Sequence, residues 1–447
     1  MTAAANVGAA AKATAAANAT SAAGTQTDPQ PDRRAGRRAL AWAAAAAALA
    51  ALPLLFPSAF AITLASQIGV MAVFALSYNM LFGQGGMLSF GHALYAGLGA
   101  YFTLHAMNWV GAHHPAVPLP LLPLVGGLAG AAFGVLFGYL TTKKAGTPFA
   151  MITLGLGELV FATAMIVPSF FGGEGGVSGN RVFSHRWFGL SFGPAIQVYY
   201  LIAAWSLVCV AAMYAFARTP LGRISNAVRD NPERAEFIGY DARRVRWLVL
   251  IASAFFAGIA GGLTAINFEI VTAENLSLQR SAGVLLATVI GGSAIFFGPV
   301  LGAAVFVFFA VALSTYTQAW QLYLGLFFVL MVMYAPGGLA SLLAAQQRVL
   351  AWGNAGPLLR IYGGLLLIGL PLAAGAVLLI ELGYRRSLGI DGAATPVLFG
   401  FELDAGAPAP WLLAAVLLTS GLALLAALRG PLAARWQALR ARAEASP

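Results

Sequence analysis

The sequence RTPLGRISNAVRDNPERAEFIGYDARRVR occupies residues 218–246 and lies between two long apolar parts of the chain. It contains seven arginines and four acidic side chains. Inside hydrocarbon, each Arg or Asp at a helix centre would cost roughly 2.5 to 3.5 kcal/mol. This stretch is therefore predicted to lie outside a lipid bilayer, where a soluble partner can bind it, while the apolar parts lie within the bilayer.

The composition points to a membrane protein. Of the 447 residues, 60% are hydrophobic and 9% are charged, and the mean hydropathy is +0.81. Soluble domains carry about 25% charged residues. Segments of about 20 apolar residues recur, each long enough to cross a hydrocarbon core of about 30 Å. Backbone groups in lipid must be hydrogen-bonded internally, so we predict an all-α polytopic membrane protein with about 10 to 12 transmembrane helices.

The apolar segments define the predicted spans and three regions. We place spans at 39–56, 61–82, 88–109, 119–141, 147–170, 195–217, 246–267, 283–313, 320–343, 358–380 and 410–428. Residues 1–36 lack an apolar period and are predicted to be a disordered cytoplasmic tail. Residues 37–345 form the core, and 346–447 form an extension with two added transmembrane helices. Alternatively, 39–56 is the core of a signal peptide cleaved near Ala59-Phe60-Ala61.

Charge placement predicts that 283–313 is a broken membrane segment. The net charge of +10 is explained by arginines at span ends, which favour the cytoplasmic side, rather than by nucleic-acid binding. Alternation places Lys143, Lys144 and residues 218–246 inside. Arg348 and the C-terminal arginines also fall inside only if 283–313 crosses twice. The break is predicted at Gly291-Gly292 and Gly298-Pro299.

A similar glycine-rich break is predicted in the first half, where residues 83–91 read GQGGMLSFG. Paired glycine-interrupted segments are typical of transporters, which place helix ends and free backbone amides near the middle of the membrane. Close helix packing is the alternative explanation for such glycines. Polar residues near the breaks, and one carboxylate within a span, are candidates for a translocation path. They are Asn79, Gln84, Ser89, His92, Glu158, Gly291 and Gly292.

Several of these candidates have a structural alternative. Glu158 lies in the middle of a predicted span, where an ionisable residue is a functional candidate, but it could also be hydrogen-bonded between helices. His92, Asn79 and Gln84 could equally be satisfied by interhelical hydrogen bonds. Glu269, Glu274 and Arg280 lie near the outer end of a span and are expected to be solvated rim charges or a docking point for a binding protein. No metal site is predicted.

Within residues 218–246, the order of residue types predicts a short helix. Asn231 is a preferred N-cap, Pro232 suits the first helical position, and Gly239 can end the helix in a left-handed conformation. Ala235, Phe237 and Ile238 lie between them and give the helix an apolar side. Such a side suits a groove in another protein, although a solvated hairpin that only orients the spans would have the same composition.

Several motifs resemble the LivM-type permeases of branched-chain amino acid ABC importers. They include Arg218-Thr219-Pro220-Leu221-Gly222-Arg223 with Ala227–Asn231, the stretch Gly146–Gly155, the loop Gly172–Gly179, the stretch Ala257–Leu263, Gly291-Gly292 with Phe297–Ala303, and Ala335–Leu339. They extend in order over roughly residues 60 to 345. The extension at 346–447 has no close parallel in that family, and its outward loop holds Arg385, Arg386, Asp391 and Asp404.

This resemblance implies a transport subunit rather than an enzyme. It implies a second homologous permease, two cytoplasmic ATPase subunits, a periplasmic substrate-binding protein, and a location in the bacterial inner membrane with both termini cytoplasmic. The loop 218–246 resembles the family's ATPase-coupling segment. The residues carried over to it are Gly222, Arg223, Arg229, Asp230, Asn231, Pro232, Ala235, Phe237 and Gly239.

The resemblance also bears on cofactors and cargo. No Gly-x4-Gly-Lys-Ser/Thr phosphate-binding motif occurs in the sequence, so no cofactor is expected in this chain, and ATP and Mg²⁺ would bind the partner subunits. The family's commonest cargo is branched-chain amino acids. Urea, short amides and aromatic acids are alternatives.

Two other classes remain open from the residues. A self-energised secondary transporter or channel could use the same glycine breaks and Glu158. An intramembrane protease is suggested by Gly176-Val177-Ser178-Gly179 with His185, but the serine lies in a glycine-rich loop and the histidine is only seven residues away.

Overall fold

The computed structural model describes residues 33–113, 117–183, 190–351, 355–387, 397–398, 401–402 and 407–445. Almost all of these residues are helical, and the predicted all-α polytopic class is confirmed. Two short antiparallel ribbons are present. β1 (Val177–Ser178) pairs with β2 (Ile270–Val271), and β3 (Val397–Leu398) pairs with β4 (Phe401–Glu402).

The α-helices of the described residues follow one another along the chain. They are α1 (Arg33–Leu55), α2 (Ala59–Asn79), α3 (Ala93–His113), α4 (Leu122–Thr141), α5 (Thr147–Ile166), α6 (Pro168–Phe171), α7 (Ala195–Arg218), α8 (Pro220–Asp230), α9 (Pro232–Phe237), α10 (Ala242–Phe268), α11 (Leu278–Gly291), α12 (Gly298–Val307), α13 (Trp320–Tyr334), α14 (Gly338–Ala351), α15 (Ala355–Ser387) and α16 (Pro408–Ala445). Short 3₁₀ turns cover Leu119–Leu121, Gly173–Gly175, Arg181–Phe183, Ala273–Leu276 and Leu313–Thr315, and π-helical turns cover Met80–Gln84 and Phe308–Ala312.

The chain divides into two compact units, residues 1–57 and 58–447. The described part of the first unit is α1, whose apolar portion Ala39–Leu55 is shorter than a full span. Helix α1 already begins at Arg33, so the predicted disordered tail of residues 1–36 is wrong for its last four residues. The rest of that tail lies outside the described residues.

Fewer helices can span a membrane than the 10 to 12 expected. By length and hydropathy, eight helices in the described ranges qualify, or up to nine if one bent pair counts as a single span. The reason is local. The apolar parts of α1 and α11 are too short, and α3 is not apolar enough because tyrosine, histidine and asparagine residues occur along it.

Several predicted span boundaries are also corrected. The predicted span 88–109 begins only at Ala93, because the chain is not helical after the π turn that ends at Gln84. Span 147–170 ends at Ile166, since the residue before Pro168 disfavours the helical conformation. Helix α10 begins four residues before the predicted 246. The predicted straight span 320–343 is two helices, α13 and α14, which meet at a bend of 53°.

The centre of the second unit is a close contact among α3, α4 and α10. Gly99, Gly126 and Gly258 lie against one another's backbones, so that a Cβ on Gly99 would come within 2.6 Å of the Gly258 backbone. A hydrophobic driving force between helices is weak in lipid, and small residues allow the close van der Waals packing that replaces it. Helix α10 is the most buried of the eight candidate spans. It begins in the charged loop and so connects that loop to this centre.

The C-terminal helices α15 and α16 form a hairpin on the same principle. Gly375 lies against Leu418, and Gly421 lies against Leu372. The buried Glu381 of α15 accepts a 3.0 Å hydrogen bond from the hydroxyl of Tyr323 on α13. Of the predicted outer-loop charges, Asp391 and Asp404 lie outside the described residues. Arg386 is exposed in the last turn of α15.

Candidate functional site

The charged loop contains two capped helices rather than one. Thr219 caps α8, since its hydroxyl accepts a 3.2 Å hydrogen bond from the Gly222 backbone. A Cβ on Gly222 would meet the backbone at the end of α7, so a glycine is needed where α8 folds back. Asn231 caps α9 as predicted, with its side-chain oxygen 2.9 Å from the Arg234 nitrogen. The predicted short helix is present as Pro232–Phe237, and a second helix, α8, precedes it.

The end of α9 presents an exposed apolar surface, which we call the Phe237 patch and define as Phe237, Ile238 and Tyr240. Phe237 is 91% exposed, and Ile238 is 64% exposed. Gly239 follows at φ +93°, the left-handed conformation predicted for it. The carboxylate of Asp241 then caps α10 by accepting from the backbones of Arg243 and Arg244.

Ala235 was expected on this apolar side, and that expectation is wrong. Its side chain is buried within the chain, with 2% exposure. Its backbone carbonyl accepts a 3.1 Å hydrogen bond from the Tyr240 nitrogen, which closes the turn after α9. The alanine therefore supports the conformation of the loop, whereas the Phe237 patch is exposed.

Arg229 connects the loop to the first glycine break. Its guanidinium donates to the backbone carbonyl of Gly83 and also pairs with Asp230 at 2.9 Å. Its alkyl chain lies over Gly86, which has φ +66°, and a Cβ on Gly86 would come within 2.6 Å of Arg229 Cγ. The last turn of α8 is thus in direct contact with the non-helical backbone between α2 and α3.

That non-helical backbone is held from three other helices. The Phe90 nitrogen donates to Thr153 Oγ1 on α5 at 3.2 Å, and the Ala93 nitrogen donates to Ser281 Oγ on α11 at 3.0 Å. The hydroxyl of Tyr78 on α2 donates to the Ser89 carbonyl at 3.2 Å. Backbone groups that leave a helix inside a membrane need such partners, and here side chains supply them.

The second predicted break is present at its predicted position, and it touches the first. Helix α11 ends at Gly291, and α12 begins at Gly298. Gly292 has φ +101° and lies against the backbone of Gly337 at the α13–α14 bend. A Cβ on Gly83 would come within 2.7 Å of the Ser293 carbonyl. The two breaks and the bend therefore meet at one place.

A polar cavity of about 220 Å³ lies at this junction. Its walls include Asn79, Gln84, Asn226, Arg229 and Ser293. The side-chain oxygens of Asn79 and Gln84 are buried and have no hydrogen-bond partner among the described residues. Because buried polar atoms are almost always hydrogen-bonded, these two oxygens are suited to contact water or a polar solute.

The predicted path residues Ser89 and His92 lie further along the first break and do not line this cavity. Both are buried. His92 Nε2 is 3.1 Å from the Ser77 hydroxyl, and its ring lies among the rings of Phe74, Tyr78 and Tyr95. The Ser89 hydroxyl and His92 Nδ1 have no partner in the part of the chain that the structure describes.

Glu158 is placed differently from the other path candidates. Its side chain is exposed on α5 rather than enclosed between helices of this chain. Gly155, one turn earlier, also faces open space. The structure therefore separates Glu158 from Asn79, Gln84 and the two breaks. An amphipathic period could not reveal this, because α5 is apolar nearly all the way round.

Arg181 is a structural residue that the sequence analysis missed. It pairs with Glu269 at 3.3 Å and donates to the backbone carbonyls of Phe192, Ile266 and Asn267. Glu269, expected as a solvated rim charge, is therefore part of a partly buried ion pair that ties the glycine-rich loop to the end of α10. The left-handed φ of +58° at Glu269 is held by this tie.

The described residues give no support to a metal site or to the protease alternative. In the described ranges, no three His, Cys, Asp or Glu side chains lie close enough to hold a metal ion. Ser178, the nucleophile of the protease alternative, pairs in β1 with Ile270, and its carbonyl accepts from Asn108. His185 lies outside the described residues. The junction therefore combines buried polar atoms with backbone that leaves the α-helical conformation.

Comparisons with known proteins show the family of the chain. A family model for the permease component of branched-chain amino acid transport systems matches residues 60–335. The high-affinity branched-chain amino acid transport permease LivM of Escherichia coli K12 is 28% identical over 310 residues, covering 64% of this chain and 72% of the relative. The LivM of Salmonella typhimurium is equally similar, at 28% over 312 residues and 65% and 72% of the two chains.

A more distant relative has a different printed cargo. The galactofuranose transporter permease YtfT of Escherichia coli K12 is 29% identical over 244 residues, covering 53% of this chain and 65% of the relative. No solved structure matches the chain. The family match covers more than half of the chain, including the charged loop and both glycine breaks. The chain therefore belongs to the family of permease components of branched-chain amino acid transport systems.

Proposed function

We propose that this chain is the membrane subunit of an ATP-driven importer and that residues 218–246 transmit the work of partner ATPases to the two glycine breaks. The observation that carries this proposal is the contact of Arg229 with the Gly83 carbonyl and with the face of Gly86. A movement of α8 must displace backbone at the junction of the breaks, because the two are in direct contact. That backbone borders the polar cavity of Asn79 and Gln84.

The Phe237 patch is the surface at which an ATPase subunit would dock. Its three exposed apolar side chains follow a charged helix, and apolar anchors with a charged rim are typical of protein interfaces. ATP and Mg²⁺ would bind the ATPases. The solute would arrive from a periplasmic binding protein, and a second permease subunit would complete the path. Both termini and the loop would then face the cytosol of a cell with an inner membrane.

The cargo we propose is a branched-chain amino acid or a similar small solute. Two relatives are named for branched-chain amino acid transport, and a more distant one is named for galactofuranose. Alternating access would open and close the junction of the breaks. Urea and short amides are alternative cargoes, since selectivity in such systems also depends on the binding protein.

The test replaces Phe237 by Asp in the importer assembled from all its subunits. Because a charge in the centre of a docking surface opposes burial, we expect ATP-driven uptake of L-leucine to fall at least about tenfold, a loss of about 1.4 kcal/mol. The amount of chain in the membrane should not change, since Phe237 has almost no contacts within the chain.

The matched control is Tyr316→Asp. Tyr316 is 87% exposed, and it lies beyond the 18-residue helical segment 298–315 that starts at the second break. It should therefore lie at the opposite end of the spans and leave uptake unchanged. Normal uptake with Phe237→Asp would refute coupling at this patch. Uptake by the purified chain without any ATPase would instead support a self-energised transporter.

A further inference from the structure

Two adjoining cavities are lined by the middle of α2, whereas the polar cavity lies at its C-terminal end. One has a volume of about 240 Å³ and the other about 590 Å³. They share wall residues on α2, α11, α12 and the π turn after α12, namely Met71, Phe74, Arg280, Phe306 and Ala310. The smaller cavity also reaches Gln67. Along α2, Phe74 of these cavities and Asn79 of the polar cavity are five residues apart, which is roughly 8 Å of helix.

Arg280 is the only positively charged side chain in the walls that the structure describes for these two cavities. It is partly buried, and no carboxylate lies within 4 Å of its guanidinium among the described residues. Its side-chain hydrogen bond is a long one, 3.4 Å from Nη2 to Thr264 Oγ1. Burying a guanidinium within an apolar bundle costs free energy unless an anion pairs with it. Arg280 therefore has the capacity to bind an anionic group.

The surroundings of Arg280 fit one class of anion. The smaller cavity is lined mainly by apolar side chains, including Val70, Phe74 and Val307, and besides Arg280 its polar side chains are Gln67, Thr264 and Asn267. The larger cavity is also lined by the exposed Glu274 and by the polar residues Thr272, Asn275, Ser277 and Gln279. Arg280 borders both cavities, the carboxylate residue borders the larger one, and the smaller one supplies most of the apolar wall. This combination complements a carboxylate, an ammonium group and an aliphatic side chain.

We propose that Arg280 binds the carboxylate of an aliphatic α-amino acid in transit, with the aliphatic side chain against Phe74 and Phe306 and the ammonium group toward Glu274. This inference rests on the proposed transport function and specifies its cargo. The planar guanidinium can bind a carboxylate through two parallel hydrogen bonds. Urea and other neutral amides lack the anion, so Arg280 favours amino acids over them. From its sequence position alone Arg280 was expected to be a rim charge or a docking point, because residue spacing does not reveal a cavity.

The first test needs no substitution. The full-length chain in lipid nanodiscs is mixed with L-leucine, and binding is measured by saturation-transfer NMR. We expect L-leucine to bind, while L-leucinol, which has the same side chain and ammonium group but no carboxylate, binds at least tenfold more weakly. Urea should give no signal. Equal binding of L-leucine and L-leucinol, or absence of L-leucine binding, would overturn the proposal.

The second test compares Arg280→Gln and Arg280→Lys with Arg244→Gln. Arg244 is a good control because its side chain is 81% exposed and far along the chain, in the charged loop. Arg280→Gln should weaken L-leucine binding at least tenfold, Arg280→Lys should weaken it less because the charge remains, and Arg244→Gln should have no effect. Unchanged binding by Arg280→Gln would refute the assignment. A misfolded Arg280→Gln variant still leaves the L-leucinol comparison to decide.

Failure of this inference can be distinguished from failure of the proposed function. If the assembled importer uses ATP to take up urea but not L-leucine, and Arg280→Gln has no effect on uptake, the permease function stands and the role of Arg280 is wrong. If the chain binds L-leucine through Arg280 but Phe237→Asp leaves uptake intact, the binding site stands and the coupling proposal is wrong.

Discussion

The two glycine breaks have similar sequences but different interiors. In the first break, residues 79–92, four side chains have a buried polar atom with no hydrogen-bond partner among the described residues. They are Asn79, Gln84, Ser89 and His92. In the second, backbone packs directly on backbone. Gly291 lies against Gly298 and Gly302, and Gly292 lies against Gly337. The first break is therefore suited to bind polar groups, and the second is suited to hold helix ends together.

Because of this difference, substitutions in the two breaks should have different effects. A larger side chain in the second break has no space, because the neighbouring atoms are backbone atoms that cannot rotate away. A less polar side chain in the first break removes an unsatisfied group and need not harm the fold. Stability should depend on the second break, and transport should depend on the first.

The largest expected effect comes from Gly302→Ala in the first turns of α12, directly after the second break. A Cβ there would collide with the Ala287 carbonyl on α11. We expect a loss of about 2 to 3 kcal/mol in the free energy of unfolding, measured as a lower thermal midpoint in detergent. Gly155→Ala is the control, because its Cβ would meet open space and alanine has the higher helix propensity. A Gly302→Ala chain as stable as the control would show that this contact is loose.

The next effect concerns the link between loop and first break. Arg229→Ala removes the contact with the Gly83 carbonyl, so uptake of L-leucine by the assembled importer should fall about tenfold. Thermal stability should change little, because Arg229 is exposed on its outer side. Arg244→Ala is the control, since Arg244 lies in the same charged loop and its side chain is 81% exposed. An equal loss in both variants would point to net charge rather than to this contact.

A smaller and opposite pair of effects is expected for Asn79→Leu. The substitution conserves shape and removes a buried oxygen that has no described partner, so unfolding should require equal or higher temperature. Uptake should nevertheless fall about threefold, because the polar cavity loses a binding group. Ser206→Ala is the control, since the Ser206 hydroxyl is likewise buried without a described partner but lies on α7 away from the cavity. Unchanged uptake with Asn79→Leu would remove Asn79 from the path.

The smallest effect is expected for Glu158→Gln. Glu158 is exposed on α5 and separate from both breaks, so its contribution must arise in contact with a neighbouring subunit or lipid. Uptake should fall about twofold while the amount of inserted chain stays constant. No change in uptake would reduce Glu158 to a structural role.

Local signals in the sequence predicted several elements correctly. Asn231 and Pro232 start α9, Gly239 adopts a left-handed conformation, and the chain breaks after Gly291. Each depends on one or two residues whose backbone preferences are strong. The charged loop was found because its composition contrasts with everything around it.

Other features required tertiary information. Ala235 and Phe237 are both apolar and two residues apart, yet one is buried and the other is 91% exposed. Helices in a membrane are apolar on faces toward lipid as well as toward other helices, so hydropathy could not orient Glu158. The cavity at Arg280 depends on α2, α11 and α12 meeting. The bend between α13 and α14 was missed although Pro336 and two glycines stand at it.

The most direct test of the coupling account is the location of the Phe237 patch. Phe237→Cys should be labelled by a membrane-impermeant maleimide in inverted membrane vesicles but not in intact cells, and bound ATPase subunits should block the reaction. The unsubstituted chain is the control, because its single cysteine, Cys209, is buried. Tyr316→Cys should be labelled from the outside. Labelling of Phe237→Cys in intact cells would contradict the account.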